Sequence, residues 1–152
     1  MEELVSVSRV QLGETIWEIT ASDRGVMSVR PQTTFLRGAE NRFSQLAAKQ
    51  LEEYWSGNRT EFDLPFDLKG TAFQRSVWAA LQEIPYGKTC SYSQLTERLG
   101  RPSAVRAVAN AIGKNPCLIL IPCHRVLGKN GSLTGFSGGL ELKKQLLNLE
   151  AN

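Results

Sequence analysis

The stretch from residue 61 to 69 constrains the fold of this chain more than any other feature, because the hydrophobic period differs on its two sides. Pro65 stands there between Asp63 and Asp67, so the segment reads as an extended linker. Before it, residues 4–10, 15–20 and 26–29 are short runs rich in β-branched side chains. Ala21-Ser22-Asp23-Arg24-Gly25 forms a natural hairpin loop between the second run and the third. From residue 39 to 55 the period becomes helical, with Phe43, Leu46, Ala47, Leu51 and Tyr54 on one face. After the linker every patterned stretch is helical. A chain of 152 residues has room for one or two small domains. A boundary near residue 65 gives an α/β domain over 1–65, a small sheet plus a helix, and a mostly helical domain over 66–152.

Charge divides at the same place. The net charge is +3. Residues 1–65 hold seven Lys/Arg against ten Asp/Glu, a balance of −3, and residues 66–152 hold eleven against five, a balance of +6. A basic half reads either as a solvated surface or as the footprint of a polyanion, nucleic acid first.

In that basic half, Thr71 with Gln74 and Ser91 with Gln94 are capping-box signals for two helix starts. Phe73, Val77, Ala80, Leu81 and Ile84 form the first apolar stripe, which Pro85-Tyr86-Gly87 ends. The second helix runs to Leu99, the chain turns at Gly100-Arg101-Pro102-Ser103, and Val105, Val108, Ala109 and Ile112 mark the buried face of a third. Two short helices joined by such a turn form a helix-turn-helix pattern. The other face of the third helix carries Arg106, Ala107, Asn110, Gly113 and Lys114. Small residues let a helix backbone approach a groove, and the cations suit phosphates. The same pattern also occurs in helix pairs that never meet DNA.

Three widely spaced cysteines, Cys90, Cys117 and Cys123, do not make a disulfide scaffold. The acidic start Met1-Glu2-Glu3-Leu4 does not resemble a secretory leader. The apolar run Leu118-Ile119-Leu120-Ile121 is too short to span a bilayer. The expectation is a chain of the reducing cytosol, without membrane attachment.

The run leads into Ile121-Pro122-Cys123-His124-Arg125-Val126 and then a glycine-rich loop. A thiol becomes nucleophilic when a base or a positive field draws off its proton, and His124 (the single histidine) and Arg125 are both adjacent. In the last helix Leu142, Leu146, Leu147 and Leu149 span a broad apolar arc, and at 100° per residue Glu150 falls within it. A carboxylate there either finds a partner, for which an imidazole is suited, or reaches water from a frayed end. One histidine and three scattered cysteines do not suit a zinc site, and the loop glycines lack phosphate-loop spacing. Neither a metal nor a cofactor is expected.

With these residues in view, Pro122-Cys123-His124-Arg125-Val126 resembles the active-site signature of the O6-alkylguanine-DNA alkyltransferases, the methylated-DNA–protein-cysteine methyltransferases. The likeness runs from Gly70-Thr71-Ala72-Phe73 to Glu150. It takes in Ser91-Tyr92-Ser93-Gln94-Leu95, Arg106-Ala107-Val108, Asn115-Pro116 and Gly135-Phe136-Ser137-Gly138-Gly139, in the family's order and spacing. Residues 1–65 are similar only in general character.

The resemblance implies an α/β N-terminal domain before a winged-helix-like catalytic domain. Such a protein, a monomer of the cytoplasm or nucleus, binds duplex DNA through the minor groove and flips out O6-alkylguanine, with O4-alkylthymine as a further substrate. It moves the alkyl group irreversibly onto its own cysteine and so acts once. Carried onto this sequence, Cys123 is the acceptor, His124 takes its proton through a water, and Glu150 polarises His124. Asn115 braces the turn, and Tyr92 protonates the leaving base. The Val126 backbone, Phe136, Ser137 and Gly138 line the base pocket. Arg106 fills the space left by the flipped nucleotide, while Ala107, Asn110 and Arg125 belong to the DNA contact and Ala111 is a further small residue of that face.

Two departures stand out. No Cys or His precedes Cys90, so the structural zinc site of some members is absent, and Phe136 replaces a tyrosine common in the family. The alternatives are a non-catalytic lesion-binding relative, against which Cys123 argues, and a thiol hydrolase, which leaves Arg106 and the charge division unexplained.

Overall fold

A computed structural model of the chain describes residues 5–33, 35–128, 136 and 138–151. It divides into two compact units, Met1–Lys69 and Gly70–Asn152.

In the first unit, β1 (Ser6–Leu12), β2 (Thr15–Ala21) and β3 (Val26–Pro31) form an antiparallel sheet in the order β1-β2-β3. Gly13 opens the two-residue loop between β1 and β2 at φ +62°, a conformation that a side chain resists. The register pairs Val10 with Trp17 and Ile19 with Val29, so these four buried side chains share one face. Helix α1 (Arg42–Trp55) buries Ala47, Leu51 and Tyr54 and contacts all three strands.

Helix α1 starts three residues later than its apolar period suggests. Asn41 and Ser44 close a reciprocal cap, each side chain bonding the other's backbone amide. Leu46, expected on the buried face, is exposed, while Ser44 and Gln50 are buried instead. Both polar side chains are satisfied: Ser8 Oγ donates to Ser44 Oγ, and Gln50 exchanges two bonds with the backbone of Asp63. The segment around Pro65 is extended but docked. Val26 donates to the Pro65 carbonyl and accepts from the Asp67 amide, and Ser22 Oγ donates to Asp67.

In the second unit, α2 (Ala72–Gln82) and α3 (Tyr92–Arg98) begin at the two capping boxes read from the sequence. Helix α4 is Val105–Gly113 and α5 is Leu140–Ala151. A two-residue parallel pair, β4 (Cys90–Ser91) with β5 (Val126–Leu127), ties the start of α3 to the chain after Cys123. Val77, Trp78, Leu81, Leu95, Val108 and Leu146 are buried. Trp78 Nε1 donates to the Ala111 carbonyl at 2.9 Å, which satisfies a buried indole and binds α2 to α4.

The buried face of α4 is rotated from the expected one. Val105 is exposed and Ala109 only half-buried, while Ala111 joins Val108 and Ile112 in the core. Ala111 therefore does not belong to the exposed face. Among the described residues, no helix is long and apolar enough to cross a membrane, and no cluster of three His, Cys, Asp or Glu could hold a metal.

Candidate active site

Cys123 is delivered by a chain that is neither helix nor strand. Pro116 and Pro122 flank it and lack the amides that regular structure requires. Its polar groups are satisfied by short-range bonds. The Leu120 amide donates to Leu118 O across Ile119, the Ile121 amide to Cys117 O, and the Cys123 amide to Ile121 O across Pro122. Asn115, fully buried, closes the arrangement: its Oδ1 accepts from the Cys117 amide at 2.9 Å and its Nδ2 donates to Ile121 O at 2.8 Å. Ile119, a buried β-branched residue, is held at φ +72°. That strain is of order 1–3 kcal/mol and persists because the packed apolar run and the Asn115 clamp leave no other conformation.

Cys123 begins a single 3-10 turn, Cys123–Arg125. The residue is 4% exposed, and burial pushes the thiol pKa up to about 11. A hydrogen bond with Asn115 and the charge of Lys143 pull it down without overcoming the burial. At neutral pH only on the order of one thiol in 10⁴ would ionise unaided. The site therefore needs a base.

His124 is fully buried, and its Nε2 lies 2.6 Å from Glu150 Oε2. Burial pushes the imidazole pKa down. Glu150 opposes that, while the charges of Arg125 and Lys143 reinforce it. Among the described residues no protein group bonds Nδ1. With Nε2 donating to the carboxylate, Nδ1 is the basic lone pair. Glu150 indeed lies in the buried stripe of α5, with Lys143 and Leu146.

Arg125 is not where a DNA contact would place it. Its Nε donates to Glu150 Oε1 at 2.8 Å, Nη2 to Glu150 Oε2 at 3.0 Å, and Nη1 to Ile84 O at 2.6 Å. The expectation that Arg125 meets DNA is thus corrected: the 3-10 turn directs the guanidinium inward, where a buried carboxylate holds it.

The other expected pocket residues lie on several elements. Tyr92, half-buried, is the first residue of α3, directly after the strand residue that pairs with Leu127. The Val126 amide donates to Cys123 O, and its carbonyl accepts from Lys143 Nζ at 2.7 Å. Phe136 is half-buried, and a Cβ on Gly138 would stand 2.7 Å from its ring and 2.8 Å from Leu142. A side chain at 138 would require Phe136 or Leu142 to shift. Ser137 lies outside the described residues.

On α4, Arg106, Ala107 and Asn110 are exposed and line an open groove with Thr71, Gln74 and Ser103. No side chain caps the start of this helix.

Sequence reasoning passed over two residues. Lys143 is fully buried at the active site, although lysine normally reads as solvated. Its signal was its spacing, since 143, 146 and 150 fall on one helical stripe. Ile119 carried no signal, because left-handed backbone at a β-branched residue is not written in any local pattern.

Residues 72–152 match the family described as 6-O-methylguanine DNA methyltransferase, DNA binding domain. The chain is 55% identical over 104 residues to the methylated-DNA–protein-cysteine methyltransferase of Mycolicibacterium paratuberculosis, covering 68% of this chain and 63% of that one. It is 55% identical over 103 residues to the inducible methylated-DNA–protein-cysteine methyltransferase of Bacillus subtilis, covering 68% and 58%. The match thus spans less than two thirds of either relative's length. Among solved structures, Mycobacterium tuberculosis OGT in complex with DNA superimposes with a TM-score of 0.84 at 39% identity, over 97% of this chain and 92% of that one.

Proposed function

Because the chain belongs to the 6-O-methylguanine DNA methyltransferase family, we propose that it repairs O6-alkylguanine in duplex DNA by moving the alkyl group onto its own Cys123. The observation that carries this reading is a buried thiol beside a buried His124–Glu150 pair whose Nδ1 has no protein partner among the described residues.

The chemistry balances without a cofactor. The Cys123 proton passes through a water to His124 Nδ1. The sulfur pair then attacks the alkyl carbon, a C–S bond forms, and the C–O6 bond breaks with its electrons left on the base. Tyr92 supplies a proton to the departing guanine, which would otherwise leave as an anion. The product is a thioether that water does not cleave, so each molecule acts once. The Val126 backbone, Phe136, Ser137 and Gly138 line the pocket, and O4-alkylthymine is a further substrate of the same chemistry.

A base inside a duplex is out of reach of a buried thiol, so the lesion must be flipped, at a cost of a few kcal/mol. The exposed face of α4, small at Ala107 and polar at Asn110, enters the minor groove as the second helix of a helix-turn-helix in a winged-helix-like domain. Arg106 takes the place of the extruded nucleotide. In this reading residues 66–152 are the catalytic domain, residues 1–65 a separate α/β domain, and the protein acts as a monomer. Three free cysteines suit a reducing compartment, the cytoplasm or the nucleus.

The test is stoichiometry. A duplex carrying a radiolabelled O6-methylguanine should transfer one label per protein molecule and no more, and Cys123→Ala should bind the duplex and transfer none. Repeated turnover, or transfer by the alanine variant, would refute the reading.

A further inference from the structure

Arg125 is the last residue of the 3-10 turn that Cys123 begins, directly after the base His124. All three of its guanidinium nitrogens bond inside: a side-on fork on both oxygens of Glu150, and a third bond to Ile84 O just beyond α2. The Gly87 amide adds a bond to Glu150 Oε1 at 3.3 Å. The carboxylate is thereby fixed from the 3-10 turn and from the loop after α2, with Oε2 left at 2.6 Å from His124 Nε2. A planar guanidinium sets the plane of a carboxylate, which a point charge does not.

We infer that Arg125 is a positioning residue: it aims Glu150 at His124 and, as the counter-charge of that carboxylate, keeps the imidazole neutral with Nδ1 as its free base. This rests on the reading above for what the base is used for. A carboxylate alone against a buried imidazole favours imidazolium, whose two nitrogens are both donors and which accepts no proton. With Arg125 on the same carboxylate the pair is already neutral, and a proton on His124 would add a net buried charge.

The other groups around the imidazole act in the same sense or stay neutral. Lys143, from α5, bonds Val126 O. Cys123, on the same turn, holds its proton. From the loop after α2 the Tyr86 ring lies 5.8 Å from the guanidinium. The downward shift of His124, to which Arg125 contributes, fits this arrangement.

His124 is the only histidine in the chain, so imidazole NMR signals report this one group. The wild type should show a neutral imidazole with its proton on Nε2 down to acidic pH. Arg125→Met should move the titration upward by about one pH unit or more, and the pH dependence of methyl transfer should rise with it. Arg125→Lys, which keeps the charge and loses the fork, should hold the titration near that of the wild type while transfer slows about tenfold through misalignment.

An unchanged His124 titration in a folded Arg125→Met protein would overturn the inference. So would Arg125→Lys transferring at the wild-type rate, a result that decides the matter even if the methionine variant does not fold. The NMR titration needs no alkyl transfer. A protein that transfers nothing yet shows the shift would refute the functional reading and leave this one standing.

Discussion

Helices α4 and α5 both carry basic residues, and they put them to opposite uses. On α4, Arg106 faces solvent beside Ala107 and Asn110, and the core face holds only Val108, Ala111 and Ile112. On α5, Lys144 is exposed, but Lys143 and Glu150 are buried on the same stripe as Leu146. A charge in water is screened within about 10 Å and is weakly held, so an outward charge serves reversible contact with phosphates. A charge removed from water must be paired, and the pairing then fixes geometry. In Glu150 that pairing orients a base, and in Lys143 it holds the Val126 carbonyl. On the proposed reading, one unit keeps recognition and chemistry on separate helices, so each should be breakable without the other.

The largest effect is expected at the buried end. Glu150→Gln leaves the Arg125 guanidinium without its counter-charge and weakens His124 as a base. Transfer should fall by about 10²-fold or more, and stability by about 3–5 kcal/mol, as for a broken buried pair. Binding to an unmodified duplex should barely change. A loss of DNA affinity as large as the loss of transfer would erase the distinction between the two helices.

Next comes Arg106→Ala on the exposed helix. Repair of a paired lesion should fall by about tenfold or more, because extrusion costs a few kcal/mol, while reaction with the free alkylated base should be nearly untouched. Equal losses on both substrates would place Arg106 outside the flipping step.

A smaller effect sharpens the same contrast through pH. The folded-state pKa of His124 is depressed. The unfolded chain therefore takes up the proton first, and this contribution to stability is present above about pH 6.5 and lost as pH falls further. Cys123 works in the other direction: its raised pKa holds the thiol neutral, so stability declines as pH rises from about 9 towards about 11. Thermal unfolding across this range should show a plateau between the two limbs. Removing the thiol with Cys123→Ala should reduce the alkaline limb and leave the acid limb unchanged, the remainder coming in part from Cys90, whose thiol pKa burial also raises.

The smallest effect is at Lys114, next to the end of α4 and exposed. Lys114→Ala should leave the transfer step intact and reduce the slope of log affinity against log salt by about 0.9, the value of one phosphate contact. An unchanged slope would mean that this lysine is merely solvated.

How far the residues foretold all this depends on what kind of information each position carries. Glu150 was legible because helical periodicity places it by arithmetic. The caps at Thr71 and Ser91 were legible because a capping box is a local pattern. Arg125 was not, since a 3-10 turn gives no period from which to say where a side chain points, and a basic residue in a basic half reads naturally as a DNA contact. Ser44 and Gln50 displaced Leu46 from the buried face because their partners, Ser8 and Asp63, lie far away in the chain or on the docked segment. The pair β4–β5 is two residues long, too short for alternation to register.

The central claim is that this chemistry ends on Cys123 and nowhere else. Intact-mass and peptide measurements after incubation with excess O6-methylguanine duplex test it most directly. The account predicts a gain of one methyl group per molecule, on the peptide containing Cys123, with Cys90 and Cys117 unmodified. Methyl on either of those buried cysteines, or many lesions repaired by a protein of unchanged mass, would contradict it.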